Sequence, residues 1–255
     1  MIASRNPLVL CFHSVSGDWR DALAVTPGEF ERHIVGLLRH GYEPTSASNL
    51  LTRRGKLLHV TFDDAFASVM DAADVLERLG VPSTVFVCSS YSERGRQSFE
   101  VPELALARRN NPSEFRTLGW KELRQLAERG IEIGSHGVAH AHLTRLDDAR
   151  LREELESSRR RIEDELARPC RFLAYPYGEN DLRVREAARK AGYKAAFGLP
   201  GDRSWSDPFE LSRVGIWRGE RPLRVRLKAS RIGPFAARAK AVAGGAYSAV
   251  LRRDT

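Results

Sequence analysis

Short apolar runs alternate along the chain with longer stretches whose apolar residues recur every three or four positions. Residues 8–12, 57–62, 83–88, 131–135 and 171–175 read as buried strands. Residues 27–40 place Phe30, Ile34, Leu37 and Leu38 on one helical face, with Thr26 as N-cap, Pro27 in the first turn and Gly41 beyond the end. Further helices are predicted over 68–79, 120–129, 147–166 and 181–191, and short strands over 195–197 and 214–217. The longest, 147–166, has a buried stripe of Leu151, Leu155, Ile162 and Leu166, and charges fill the rest. Strand and helix alternate throughout, which predicts a parallel α/β sheet, open or closed into a barrel. Residues 89–119 break the rhythm. Ser, Arg, Asn and Gln dominate there apart from a helical patch at 101–107, so this stretch is expected to be an insertion over one face, a candidate lid.

The 255 residues suffice for one large core without disulfide help. Cys11, Cys88 and Cys170 form no framework spacing and are read as small buried hydrophobes. The apolar run at 8–12 is too short for a signal segment, and no apolar run reaches membrane-spanning length, so a cytoplasmic protein is expected. The net charge of +8 is carried entirely by 221–255, where nine Lys/Arg face one acid. Leu223, Val225 and Leu227 interleave with these cations. The tail is read as a solvated or barrel-covering helix, with peripheral contact to an anionic inner membrane face as the sharper reading. No recognition motif accompanies the charge, so no nucleic-acid partner is expected.

In α/β architectures chemistry collects where strands end. Here those ends read His13, Asp63-Asp64, His136 and Tyr175-Pro176-Tyr177-Gly178. Two adjacent carboxylates at a strand end can divide labour, one binding a metal and the other moving a proton. His136 and His140 stand i, i+4; on one helical turn their imidazoles would share a face and bind one ion. Two histidines and a carboxylate leave a position open for water, the mark of a catalytic metal site. On such a helix His142 lies about 200° round from His140 and is read as a surface residue.

Thr61-Phe-Asp-Asp, Ser135-His-Gly-Val-Ala-His and Ala174-Tyr-Pro-Tyr-Gly, in this order, resemble the motifs of the polysaccharide deacetylase family, the NodB homology domain of carbohydrate esterase family 4. The flanks 80–87 and 120–136 resemble it too, and the likeness covers about residues 5–220. It implies a distorted (β/α)7-type barrel over 1–220, followed by the basic tail 221–255. It implies metal-dependent removal of N- or O-acetyl groups from sugars. By the family's motifs Asp64, His136 and His140 bind one divalent metal, usually zinc, sometimes cobalt, nickel or manganese. Asp63 is the general base, and the backbone N–H of Tyr177 supports the oxyanion.

The family's acid is most often a histidine near the C-terminus, and this chain has none after His142. Leu10-Cys-Phe-His-Ser-Val instead resembles an N-terminal segment of a circularly permuted subgroup acting on poly-N-acetylglucosamine, which makes His13 the expected acid. Two more positions depart from the pattern. Ala65 stands where glycine is usual, and Ala174-Tyr175 stand where an arginine is usual. Arg213 is the candidate to tune Asp63 in that arginine's place, and Tyr175 and Trp217 are candidate substrate contacts. The expected substrate is an acetylated sugar of a bacterial surface polysaccharide or its precursor, with N-acetyl favoured. The alternatives are a hydrolase of non-sugar amides or imides on the same scaffold and a catalytically silent sugar-binding module.

Overall fold

The apolar runs become the walls of a barrel. The computed structural model describes residues 7–93, 97–199 and 207–229. In chain order its first elements are β1 (Leu8–Phe12), β2 (Ser14–Val15), β3 (Ala24–Val25), α1 (Pro27–Arg39), β4 (Glu43–Pro44), α2 (Ala47–Leu50) and β5 (Leu57–Phe62). There follow α3 (Val69–Arg78), β6 (Ser83–Val87), α4 (Ala105–Asn110), α5 (Trp120–Glu128) and β7 (Glu132–Ser135). The last are α6 (Asp148–Leu166), β8 (Phe172–Ala174), α7 (Leu182–Lys190), β9 (Ala195–Gly198), β10 (Leu211–Ser212), β11 (Val214–Gly215) and α8 (Pro222–Ala229).

Eight strands run in the order β10-β9-β8-β7-β6-β5-β1-β11, every neighbouring pair parallel. The two edge strands, β10 and β11, are separated in sequence by Arg213 alone. One short segment therefore lies along both edges, and the sheet is a nearly closed barrel with seven strand positions. Strands β1, β5 and β6 are buried along their whole length, as a parallel strand covered on both faces must be. Gly134 in β7 is required by close approach. A Cβ there would stand 2.6 Å from the Phe86 ring and 2.9 Å from the Phe172 carbonyl oxygen.

The helices begin where side chains can satisfy their first N–H groups. Thr26 and Glu29 form a reciprocal capping box on α1, and Asp147 and Asp181 cap α6 and α7. The predicted cores of the helices stand, and their ends shift by a residue or so. Four two-residue strands and the single-turn α2 went unread because they are too short to show a period.

Residues 97–119 pack through their own aromatic cluster. Phe99 and Phe115 meet Phe66 and Trp19 from the barrel side. The Phe99 ring also lies edge-on to His140, 5.2 Å away. The patch expected at 101–107 is a 3₁₀ turn, Pro102–Leu104, running into α4. In the basic tail, Val225 of α8 is buried while Leu223 and Leu227 are exposed. Residues 230–255, on which most of the membrane expectation rested, lie outside the described residues. Among the described residues no helix is long and apolar enough to cross a membrane.

His59 ties three strands together. Its Nδ1 bonds the Thr45 carbonyl oxygen beyond β4 at 2.8 Å, and its Nε2 lies 2.9 Å from Thr84 Oγ1 in β6. Burial pushes its pKa from 6.5 to about 4, only partly opposed by the Thr45 bond. A lowered folded-state pKa means that the unfolded chain binds more protons between pH 6.5 and 4, so this contribution is full above 6.5 and is lost as pH falls. Between pH 7 and 4.5 it is worth about 2.5 kcal/mol. His59→Gln, which keeps a donor and an acceptor, should therefore lose less stability than wild type over that interval in urea unfolding. Equal losses in the two proteins would contradict the assignment.

Candidate active site

Asp63 and Asp64 reach one cleft because the chain turns sharply after β5. The Asp63 N–H donates to the Phe12 carbonyl oxygen at 2.9 Å and prolongs the β1–β5 ladder by one residue. Asp64 and Ala65 then take left-handed conformations, with φ of 67° and 51°. That costs roughly 1 kcal/mol or more for each non-glycine residue. The Leu118 N–H holds the turn through the Ala65 carbonyl oxygen at 2.8 Å.

Arg213, leaving β10, forms a fork on Asp63. Its two terminal nitrogens lie 2.6 and 2.8 Å from Oδ1 and Oδ2, and one also donates to Thr61 Oγ1 at 3.1 Å. Both side chains are buried. The Cys11 thiol adds a donor 3.4 Å from Oδ2, a contact that its reading as a plain hydrophobe left out. Burial alone would raise the Asp63 pKa. The Arg213 guanidinium, with His136 and His13, outweighs it and holds the carboxyl well below the usual range.

Asp64 sits in the opposite environment. Burial and the neighbouring Asp63 charge push its pKa well up. Neither of its oxygens has a hydrogen-bond partner. Both histidines turn Nε2 toward it, each 3.6 Å from Oδ1. His136 bonds the Ala174 carbonyl oxygen through Nδ1 at 2.8 Å, so the proton belongs on Nδ1 and the Nε2 lone pair faces Asp64.

The two histidines do not share a helical turn. Residues 136–142 are an irregular loop with Gly137 at φ 82° and His140 at φ 56°. The loop is pinned instead by Glu154 of α6, whose Oε2 accepts from Val138 and Ala139 N–H at 2.7 and 3.3 Å. Glu154 was hidden among the many charges of α6. The donor atoms of Asp64, His136 and His140 lie within 4.8 Å of one another. A buried carboxylate with no partner beside two imidazole nitrogens fits a divalent metal such as zinc.

His13 follows β1, and its donor lies within 4.8 Å of those of Asp63 and Cys11. Its ring stacks on Trp217, with centroids 5.4 Å apart. Burial pushes its pKa down to about 4, against the pull of Asp63. Tyr177 lies on the other flank, with its ring 4.4 Å from His140 and its backbone at φ 59°. Tyr175 departs from its expected place at the substrate. It is fully buried, and its hydroxyl donates to the Phe209 carbonyl oxygen at 2.9 Å. Its N–H continues the β8–β9 ladder to the Phe197 carbonyl oxygen at 2.9 Å, and its side chain packs in the main hydrophobic core. His142, read as a surface residue, stacks face to face on Tyr177.

A sequence profile described as polysaccharide deacetylase matches residues 51–196, which include both aspartates, His136 and His140 and leave out His13 and Arg213. YxkH of Bacillus subtilis (strain 168), named as a polysaccharide deacetylase, is 26% identical over 194 residues, 73% of this chain and 62% of that protein. A chitooligosaccharide deacetylase of Bradyrhizobium sp. (strain ANU 289) is 26% identical over 155 residues, 59% of each. The chain thus spans about three-fifths of the length of these relatives. Among solved structures, IcaB from Ammonifex degensii superposes with a TM-score of 0.72 at 22% identity, covering 90% of this chain and 97% of that one. The deacetylase PplD of Streptococcus pyogenes gives 0.74 at 17% identity, covering 89% and 99%. These two likenesses concern the fold. The profile match, which spans more than half of the chain, makes the protein a member of the polysaccharide deacetylase family.

Proposed function

We propose that the protein is a metal-dependent deacetylase that hydrolyses an acetyl group, N-acetyl in preference to O-acetyl, from a sugar of a polysaccharide or its precursor. The observation that carries this reading is the contrast between the two adjacent carboxylates. One is forked by an arginine and kept ionised. The other is buried without a hydrogen-bond partner between two imidazole nitrogens. On this reading residues 1–220 are the catalytic unit, and 89–119 cover its cleft.

Asp64, His136 and His140 would hold the ion. When bound, a divalent metal such as zinc lowers the pKa of water to about 7 and polarises a carbonyl. Asp63 takes the proton of the attacking water as general base, and Arg213 keeps it charged and oriented for that step. As the new C–O bond forms, the backbone N–H of Tyr177 donates to the carbonyl oxygen that gains charge. The C–N bond then breaks, and the leaving nitrogen takes a proton from His13. Burial keeps His13 neutral until that proton arrives, and Asp63 is the nearby source. Trp217 holds the imidazole by stacking. The products are acetate and a free amine on the sugar.

The test uses purified protein, elemental analysis and acetate release from N-acetylated oligosaccharides. About one divalent metal per chain is expected, with activity lost on chelation and restored by zinc. Protein without metal that releases no acetate would favour the silent module, and acetate from non-sugar amides alone would favour the other hydrolase.

Two substitutions separate the aspartates. Asp64→Asn should lose the metal and the activity together. Asp63→Asn should keep the metal while kcat falls by about 10²–10⁴-fold. Metal loss in both variants, or near-normal turnover by Asp63→Asn, would sink this division of roles.

A further inference from the structure

We infer that His142 is a positioning residue for the reaction: its imidazole, stacked on the Tyr177 ring, holds Tyr177 in the left-handed conformation from which the Tyr177 N–H serves the substrate's carbonyl oxygen. The inference rests on the oxyanion role proposed for Tyr177 above.

Tyr177 lies in the turn Pro176–Gly178 with φ 59° and ψ 2°. A tyrosine does not keep that conformation unless its surroundings impose it. Two rings do so. His140 meets the Tyr177 ring edge-on at 4.4 Å and 62°. His142 lies flat against it, with centroids 3.7 Å apart and planes 4° from parallel. Tyr177 is thereby wedged between the metal site and His142.

His142 is itself anchored on both sides. Its Nδ1 lies 3.0 Å from Glu179 Oε2, on the same turn as Tyr177. Its Nε2 lies 3.7 Å from Glu103 Oε1. The other oxygen of Glu103 accepts from the Tyr177 hydroxyl at 3.3 Å. Glu103 belongs to the 89–119 segment, so that segment braces the same stack. Next along the chain, Leu143 is buried in the core and opens a 3₁₀ turn, which fixes the backbone that carries the imidazole. Among the described residues His142 belongs to neither group of candidate metal donors, Asp64 with His136 and His140 or Asp63 with His13 and Cys11. Its contribution passes through Tyr177.

The test compares His142→Ala, which deletes the stack, with His142→Phe, which restores a flat ring without the Glu179 bond. His142→Ala should lower kcat by about tenfold, with KM and metal content within twofold of wild type. That is a fraction of the 10²–10³-fold cost of removing an oxyanion donor outright. His142→Phe should return kcat to within about threefold. Crystal structures should show Tyr177 leaving positive φ in the alanine variant and keeping it in the phenylalanine variant. An unchanged Tyr177 or unchanged kcat in His142→Ala overturns the inference, as does a phenylalanine variant no better than alanine. Loss of metal from His142→Ala also overturns it, since His142 would then act through His140. The Tyr177 geometry is read without turnover. A wild-type protein that releases no acetate therefore removes the proposed function, while the crystal structures still decide whether His142 sets Tyr177.

Discussion

The site depends on one buried ion pair, the fork of Arg213 on Asp63. Arg213 stands between β10 and β11, the strands at the two edges of the sheet. Its N–H reaches the Gly198 carbonyl oxygen of β9, and the next residue, Val214, pairs with Leu10 of β1. The residue that carries the barrel wall from one edge to the other is thus the one that holds the carboxylate. Removing one partner of such a pair leaves a buried charge unmatched, which typically costs about 3–5 kcal/mol. Closing the barrel and charging Asp63 are therefore coupled. The guanidinium is held at Asp63 by the segment that fills the last strand position.

The same pair explains how two neighbouring aspartates become chemically different. Both are deeply buried, and burial pushes both toward the neutral form. Arg213 reverses that push for Asp63 and only opposes it for Asp64, which also carries the repulsion of the charged Asp63. Without a compensating cation Asp64 is an unsatisfied group in the core. Polar groups in that state are rare unless a ligand completes them. The fit of the pocket to a divalent ion rests on charge and burial as well as on the identity of its three candidate donors.

Much of this was legible in the sequence because it is local. The apolar runs of β1, β5 and β6, the Thr26 cap and the aspartate pair at a strand end all follow from neighbours along the chain. What was missed is long-range or loop-borne. The i, i+4 spacing of His136 and His140 suggests a helical turn, and Gly137 and Glu154 make an irregular loop of it instead. Tyr175 and Tyr177 share one motif, but the strand's alternation sends Tyr175 inward while a left-handed turn presents Tyr177. The Tyr177–His142 stack joins two loops, and no spacing rule reaches across them. The motif departure points to Arg213 in place of a missing arginine, but its position between the two edge strands follows only from the strand order.

The left-handed residues show where the fold stores strain. Asp64, Ala65, His140 and Tyr177 are four of the five described non-glycine residues with positive φ, and all four belong to or adjoin the candidate metal site. Each would be easier as glycine, yet Asp64 and His140 supply candidate metal donors and Tyr177 packs its ring on His140 and His142. Ala65 does neither, and it is also where the family's usual glycine is absent. Its strain is carried by the rigid surroundings: the ladder bond of Asp63 on one side and Leu118 on the other. An alanine there narrows the backbone freedom of the unfolded chain, and in the folded state it leaves Asp64 fewer ways to leave the pocket. The departure from the family pattern thus trades backbone strain for a stiffer turn at Asp64, a donor of the candidate metal site.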